Sequence, residues 1–197
     1  MEEKFVIAPD QKEEKKEEQK EEKKKEAKFV RLFNEDQIEI KTLGADDVED
    51  ATLVMEKCAF EVTKDEVFKV ISYGMSFGCY DNRMLVAVGL SWPTAYNEEK
   101  KSLTTSTKYN ALYLEEPAVL LMYEGRGLRR ILVEAREQLA RKNRYSYLLA
   151  YLGKETPRIG IADYIKESGS QLEKIYLELG FSFIPTNYGV LAIKRLR

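Results

Sequence analysis

The chain has 197 residues, enough for one ordinary domain with a hydrophobic core and an appendage. Its formal net charge of −2 argues against general binding to nucleic-acid backbones, and no apolar run approaches the ~18 residues of a membrane span. Histidine is absent, which removes the commonest general base and the commonest metal ligand. We therefore expect no membrane segment and no metal site. Cys58 and Cys79 have no metal-ligand spacing and are predicted to be small buried thiols of a cytoplasmic protein.

The N-terminal part of the chain differs sharply from the rest. Residues 11–26 contain only Gln, Lys and Glu, with equal numbers of Lys and Glu. Such a segment has no apolar face to bury, so residues 1–30 are predicted to form a charged extension, either a frayed helix or disordered. A helical arm that contacts a partner is the alternative. Residues 31–197 are predicted to form the folded domain.

Hydrophobic patterning predicts seven strands and four helices after this extension. The strands cover residues 38–41, 75–80, 84–92, 111–120, 145–152, 181–184 and 188–196. Three of the helices cover residues 46–60, 128–142 and 171–179. A further helix, second in chain order, opens with a capping box at Thr63 and Glu66. Residues 94–108 are predicted to be a loop, and residues 153–168 to be irregular or partly helical. The order is β-α-α-β-β-β-α-β-α-β-β.

A Gly-x-Gly turn lies between the fourth strand and the third helix. Gly125 and Gly127 let the backbone approach a ligand closely, and the helix that follows presents unpaired N–H groups suited to an anion. A helix between two long apolar strands implies that these strands are parallel, with a ligand crevice at their carboxyl ends. Without further context, a simple strand-to-helix connection is the favoured interpretation, because short glycine patterns recur by chance.

Two segments carry a resemblance to a known family. The segment 119–129 resembles the coenzyme-A-binding motif V-x-P-x-x-(R/Q)-G-x-G-x-(G/A) of the GNAT superfamily of N-acetyltransferases. Val119, Tyr123, Gly125, Arg126 and Gly127 fall on this pattern. The segment 172–181 resembles the closing pattern of the family, A-x-x-x-Y-x-x-x-G-F. The resemblance implies a mixed α/β (α+β) fold, with a mostly antiparallel twisted sheet and a central parallel strand pair splayed at the acetyl-CoA site.

The resemblance also implies acetyl-CoA as cosubstrate, with its pyrophosphate at the glycine turn. The residues assigned to coenzyme binding are Val119, Leu120, Leu121, Glu124, Gly125, Arg126, Gly127, Leu128, Arg129 and Arg130.

Three positions of this segment depart from the family motif, at Leu121, Glu124 and Arg129. Glu124 places a carboxylate beside the phosphates, where it would repel them unless an arginine at 126, 129 or 130 neutralises it. Pro117 stands at or beside the place where the family commonly offers a strand N–H to the thioester carbonyl, and proline has no N–H. The N–H of Ala118 is the alternative donor.

Few side chains are available for proton transfer. Glu115 and Glu116 point to opposite strand faces, so one of them is expected to face the crevice as general base. A surface carboxylate is an equally good interpretation of either residue alone. Tyr176 matches the family tyrosine that approaches the coenzyme sulfur, which implies a general acid. Without the resemblance, a tyrosine on an apolar helix face is more often part of the core.

The sequence favours an N-acetyltransferase that moves an acetyl group to a primary amine by direct transfer, because neither cysteine is paired with an activating base. The alternative is a catalytically silent module of the same fold that binds coenzyme A or a protein. A nucleic-acid-binding role is disfavoured, because the arginines of the third helix are spread around it. The acceptor, a small molecule or a protein, is not identified, and homodimer formation is left open.

Overall fold

The computed structural model describes residues 38–196, so the predictions for residues 1–30 and for a domain start at residue 31 lie outside the described residues. Ten strands are present among the described residues. They are β1 (Ile38–Thr42), β2 (Phe77–Asp81), β3 (Met84–Gly89), β4 (Ser91–Asn97), β5 (Ser102–Thr104), β6 (Ala111–Leu114), β7 (Ala118–Val119), β8 (Tyr147–Tyr151), β9 (Ser182–Thr186) and β10 (Gly189–Arg195).

Five α-helices accompany the strands within residues 38–196. They are α1 (Val48–Lys57), α2 (Lys64–Ile71), α3 (Leu128–Lys142), α4 (Ile161–Ser168) and α5 (Gln171–Glu178). The capping box predicted before α2 is confirmed: the Thr63 hydroxyl accepts from the N–H of Glu66, and the Glu66 carboxylate accepts from the N–H of Thr63. None of the helices in the described part of the chain is long and apolar enough to cross a membrane.

The predicted fold class is confirmed, with a sheet that divides into two halves. One half has the strand order β1-β2-β3-β7, and the other has the order β5-β4-β6-β8-β10-β9. Strands β6 and β8 are parallel, as predicted from the helix between them, and the other registered pairs are antiparallel. Helix α3 packs under both halves, because its apolar face carries buried Leu128, Leu132 and Val133.

The division of the sheet corrects two predicted strands. The strand predicted over 84–92 ends at Gly89 and resumes at Ser91, so β3 and β4 belong to different halves. The strand predicted over 111–120 is interrupted at residues 115–117, so β6 and β7 also separate. Pro117 contributes to the interruption because it has no N–H for a ladder. In addition, part of the loop predicted over 94–108 forms the hairpin of β4 and β5.

Candidate functional site

The candidate site is centred on the place where the sheet divides. The N–H of Glu115 donates to the carbonyl oxygen of Leu90 at 3.0 Å, so the two interruptions lie side by side. The guanidinium of Arg136, from α3, donates through Nη1 to the same Leu90 oxygen at 2.7 Å and to the carbonyl oxygen of Glu115 at 2.8 Å. These bonds fix the backbone at both interruptions, the one between β3 and β4 and the one between β6 and β7.

Arg136 is fully buried at the candidate site, a position that the sequence analysis did not predict. Its Nε donates to the carbonyl oxygen of Leu132 at 2.9 Å, whereas its Nη2 has no hydrogen-bond partner. Burial lowers the pKa of Arg136 to about 10, so the side chain remains a cation at neutral pH. The helical spacing Leu128, Leu132, Arg136 would have placed this arginine on the apolar face, which is the signal that could have found it.

Glu115 and Glu116 lie in the interruption between β6 and β7 and line different pockets. The first pocket, about 370 Å³, lies between α1, α2 and the interruption; Glu115, Leu90 and Trp92 are among its lining residues. The second pocket, about 340 Å³, lies between Glu116, the carboxyl end of β8, and helices α4 and α5. The two pockets are therefore lined in part by adjacent residues of the chain. We name them the Glu115 pocket and the Glu116 pocket.

The two carboxylates have different surroundings. Glu115 is partly buried, and desolvation raises the pKa of its carboxyl group, although the N–H of Glu116 and the charge of Arg136 oppose that rise. Glu116 is exposed, and its Oε1 lies 3.6 Å from Nη1 of Arg129. This ion pair links the strand interruption to the helix that follows the glycine turn. Of the two predicted bases, Glu115 is thus the one whose carboxyl pKa is raised by burial.

Tyr176 lies on α5 inside the core. Its side chain is 1% exposed and packs on Phe181, with ring centroids 4.7 Å apart. Its hydroxyl has no hydrogen-bond partner, and burial raises the pKa of Tyr176 to about 12, opposed by the charge of Arg136. In the described part of the chain, the Tyr176 hydroxyl and Nη2 of Arg136 are the buried side-chain polar atoms without a partner. An unsatisfied buried polar group costs about 1–3 kcal/mol, so a tyrosine retained here calls for a reason other than packing.

The glycine turn leads into the N-terminus of α3. Gly125 has φ +79° and Gly127, the N-cap residue, has φ +77°, a left-handed conformation that favours glycine. A Cβ at either position would meet no atom within 4 Å, so the backbone here borders open space. No side chain caps this end of the helix, whose first N–H groups lack partners inside the helix. The turn can therefore receive an anion.

The charges at the turn are largely paired with one another. Arg129 binds Glu124 through Nη2 at 2.6 Å and Nε at 3.4 Å, and its Nη1 donates to the carbonyl oxygen of Pro117 at 2.8 Å. Arg130 pairs with Glu178 and Glu134. Two of the departures from the family motif, Glu124 and Arg129, thus neutralise each other and tie the turn to the strand interruption.

The remaining residues assigned to coenzyme binding lie around this turn. Arg126 is exposed, lies 4.9 Å from the ring centroid of Tyr123, and has no ion-pair partner among residues 38–196. Leu121, another departure from the motif, is 88% exposed in a single 3-10 turn that follows β7. Leu128 is buried under the sheet, and Val119 is also buried. Arg126 is therefore the arginine of this turn whose charge is open to an anion.

The backbone N–H of β7 that is free to donate to a ligand belongs to a different residue from the expected Ala118. The N–H of Leu120 donates to the carbonyl oxygen of Val86 at 3.0 Å, and Ala118 stands opposite Val88. Because alternate residues of an antiparallel strand face its partner, Ala118 also faces β3, whereas Val119 faces away from it. The Val119 carbonyl oxygen accepts from the thiol of Cys58 at 3.2 Å. The N–H of Val119 is therefore the strand donor directed away from the ladder.

The cysteines show no sign of nucleophilic activation. Burial raises the pKa of the Cys79 thiol to about 12, and it raises the pKa of Cys58 as well. No group of three or more His, Cys, Asp or Glu side chains in the described ranges could hold a metal ion.

Comparison with family models gives no match, and no curated protein matches the sequence. Solved structures do match. The loading GNATL domain of CurA from Lyngbya majuscula has a TM-score of 0.62 at 17% identity, over 80% of this chain and 97% of that one. A GphF GNAT-like decarboxylase in complex with isobutyryl-CoA has a TM-score of 0.61 at 16% identity, over 81% and 100%.

A third match is the PaiA N-acetyltransferase from Thermoplasma acidophilum in complex with coenzyme A, with a TM-score of 0.56 at 14% identity, over 80% and 98%. At these identities the likeness shows the fold alone: the chain has the GNAT fold.

Proposed function

We propose that this protein is an N-acetyltransferase that moves an acetyl group from acetyl-CoA to a primary amine by direct transfer. The observation that carries the proposal is the pair of pockets that meet at the strand interruption, one at Glu115 and one at Glu116. Direct transfer between two substrates requires that they approach one point from different sides. The interruption at residues 115–117 is such a point.

The Glu116 pocket is the proposed coenzyme side. It lies at the carboxyl end of β8, and Glu116 is joined through Arg129 to the glycine turn. The turn would hold the pyrophosphate with the N–H groups that open α3 and with the charge of Arg126. The open space at Gly125 and Gly127 fits this assignment. The N–H of Val119 would donate to the thioester carbonyl oxygen and stabilise the charge that develops there.

The Glu115 pocket is the proposed acceptor side. An ammonium group must lose a proton before its nitrogen can attack, and the raised pKa of Glu115 suits a carboxylate that accepts this proton directly or through a water molecule. The amine nitrogen then bonds to the acetyl carbon, and the bond from that carbon to sulfur breaks. The nitrogen releases its second proton to water, and the products are the acetylated amine and the coenzyme thiolate.

Tyr176 is the proposed donor of a proton to that thiolate. At neutral pH its hydroxyl is protonated, since its pKa is raised to about 12, and no other group of the described structure holds it. Arg136 would stabilise the phenolate that remains, because their charges interact across the buried region. Arg136 is a positioning residue in this account, since its bonds go to the backbone of Leu90 and Glu115.

A catalytically silent module with the same fold is the alternative. The pairing of Arg129 with Glu124 favours it, because that arginine is not free for phosphate oxygens. Decarboxylation, the reaction named for one structural neighbour, has less support. A carboxylate in the Glu115 pocket would face Glu61, Glu66 and Glu115 without a lysine or arginine among the lining residues.

The proposal is tested by incubating the purified chain with carbon-13-labelled acetyl-CoA and a mixed panel of primary amines, followed by mass spectrometry. Labelled N-acetyl product that depends on the protein would support the enzyme. Coenzyme binding by calorimetry without any labelled product would favour the silent module, and absence of both would overturn the assignment of the turn.

A further inference from the structure

The Glu115 pocket has a composition that restricts its ligand. Seven of its ten lining residues are apolar or aromatic and three are glutamates: Met55, Phe60, Val62, Val67, Val70, Leu90 and Trp92, with Glu61, Glu66 and Glu115. The apolar members come from α1, α2 and the start of β4, and several of them are buried. No lysine or arginine lines the pocket. An apolar cavity with charges of a single sign selects strongly among ligands.

The three glutamates occupy different positions. Glu61 and Glu66 are exposed, and the Glu66 carboxylate is an anion, because the N–H and hydroxyl of Thr63 donate to it and lower its pKa. Glu115 is partly buried at the strand interruption. A cationic ligand is thus attracted by the exposed glutamates and meets a further carboxylate beside the place where the chain divides.

The walls exclude several classes of amine. A second charge of a polyamine can pair with the exposed Glu61 and Glu66 and is not excluded, whereas Val67, Val70 and Leu90 offer no polar side-chain atom. An aminoglycoside or a peptide N-terminus would bring hydroxyl or amide groups that these side chains cannot satisfy with hydrogen bonds. An amino acid would bring a carboxylate into the field of three others. A volume of about 370 Å³ lies near the lower end of the ~300–1,000 Å³ range of small-molecule sites.

Trp92 gives the pocket an aromatic wall. Its ring is half-buried and packs on Tyr113, with centroids 4.6 Å apart. A stacked indole presents a flat surface to an aromatic ligand and can also attract an ammonium group through its face.

We infer that the acceptor is a small alkylamine or arylalkylamine with an apolar body and no carboxylate, bound with its ammonium group at Glu115 and its body against Trp92 and Val70. The role of this ligand as acceptor rests on the proposed function, but the binding of such an amine can be measured without turnover.

The chain itself supplies the probe, because Trp92 is its only tryptophan. Phenethylamine should change the Trp92 fluorescence saturably within the ~1 μM to 1 mM range typical of enzyme substrates, in the presence of coenzyme A. Phenylalanine, which adds only a carboxylate, should bind at least about tenfold more weakly, a difference that repulsion or desolvation of one charge readily supplies.

A positive charge introduced into the wall of the Glu115 pocket should reverse the preference for phenethylamine over phenylalanine. Val70→Lys should weaken phenethylamine binding and strengthen phenylalanine binding by about tenfold or more each, since one charge pair in a partly buried site is worth that much. Phe68→Lys is the matched control: it adds the same charge to the same helix at an exposed residue that does not line the pocket, and it should change neither affinity.

The same samples, assayed for N-acetyl product, separate the two claims. Saturable phenethylamine binding without product would support the ligand class and overturn the transferase. Product from phenylalanine at lower concentration than from phenethylamine, or a Trp92 signal that phenethylamine does not change, would overturn the ligand class. An identical response of Val70→Lys and Phe68→Lys would overturn the location.

Discussion

Nη1 of Arg136 lies 2.8 Å from the carbonyl oxygen of Glu115, so a fully buried cation holds the strand position that carries the proposed general base. The same nitrogen binds the Leu90 oxygen at 2.7 Å. One side chain from α3 thus ties together both strand interruptions. The position of the Glu115 carboxylate between the pocket and the core depends on this arginine.

Replacement of Arg136 by methionine, which keeps most of the side-chain volume, should lower the free energy of unfolding by about 2 kcal/mol or more, because it leaves buried carbonyl oxygens without their charged donor. Urea unfolding measures the change. Arg126→Met is the control, since Arg126 is exposed, and it should change stability by less than about 1 kcal/mol. Equal effects of the two substitutions would contradict the role given to Arg136.

Tyr176→Phe should separate chemistry from packing. The substitution removes a buried hydroxyl that has no partner, so stability should be unchanged or slightly higher, whereas turnover should fall by about 10²- to 10⁴-fold with coenzyme affinity retained. In Tyr147→Phe, the control, the lost hydroxyl donates to Glu98 at 2.7 Å away from both pockets, and turnover should persist. Full activity of Tyr176→Phe would show that Tyr176 only packs in the core and donates no proton.

The glycine turn has an internal control for backbone strain. Gly127 and Gly160 are both N-cap residues with left-handed φ, +77° and +64°, and both border open space. Gly127→Val and Gly160→Val should therefore cost similar stability, whereas Gly127→Val alone should lower coenzyme A affinity by at least about tenfold in calorimetry, because its side chain would occupy the anion cradle. Equal losses of affinity would show that the turn binds no pyrophosphate.

Stability should fall as the solution becomes alkaline. Burial raises the pKa of Tyr176 and of Cys79 to about 12, and it raises the pKa of Tyr113 as well, so the folded chain keeps protons that the unfolded chain releases first. The stabilisation from each group is complete below its unfolded pKa and is lost as pH rises toward its folded value, with a slope approaching about 1.4 kcal/mol per pH unit per group.

Thermal unfolding measured between neutral pH and pH 11 checks this expectation. The wild type should lose stability above about pH 9, where thiols and then tyrosines of an unfolded chain begin to ionise. Tyr176→Phe should show a shallower decline. A melting temperature that is constant over this range would show that these groups are accessible in the folded state.

Local signals predicted much of this structure. The capping box at Thr63 and Glu66 needs only residues three apart, so it could be inferred from a short window. The parallel pairing of β6 and β8 followed from the helix between two apolar strands.

The strand interruptions could not be predicted in the same way. Leu90 stands inside an apolar run that is typical of a continuous strand, and the chain parts there because Glu115 and Arg136, distant in sequence, bind its carbonyl oxygen. Arg136 is buried in α3 although an arginine is usually exposed, so its burial could not be inferred from its residue type. The pairing of Arg129 with Glu124 was one of several arrangements the sequence allowed, and side-chain geometry decides among them.

The most direct test compares two adjacent carboxylates by substituting Glu115→Gln and Glu116→Gln and measuring acetylation of phenethylamine at saturating acetyl-CoA. The account predicts that Glu115→Gln lowers kcat by about 10²-fold or more, the usual contribution of a general base. Glu116→Gln should leave kcat nearly unchanged, since Glu116 lies on the coenzyme side beside Arg129. Equal activity of Glu115→Gln and the wild type, or a larger loss in Glu116→Gln, would contradict the assignment of the two pockets.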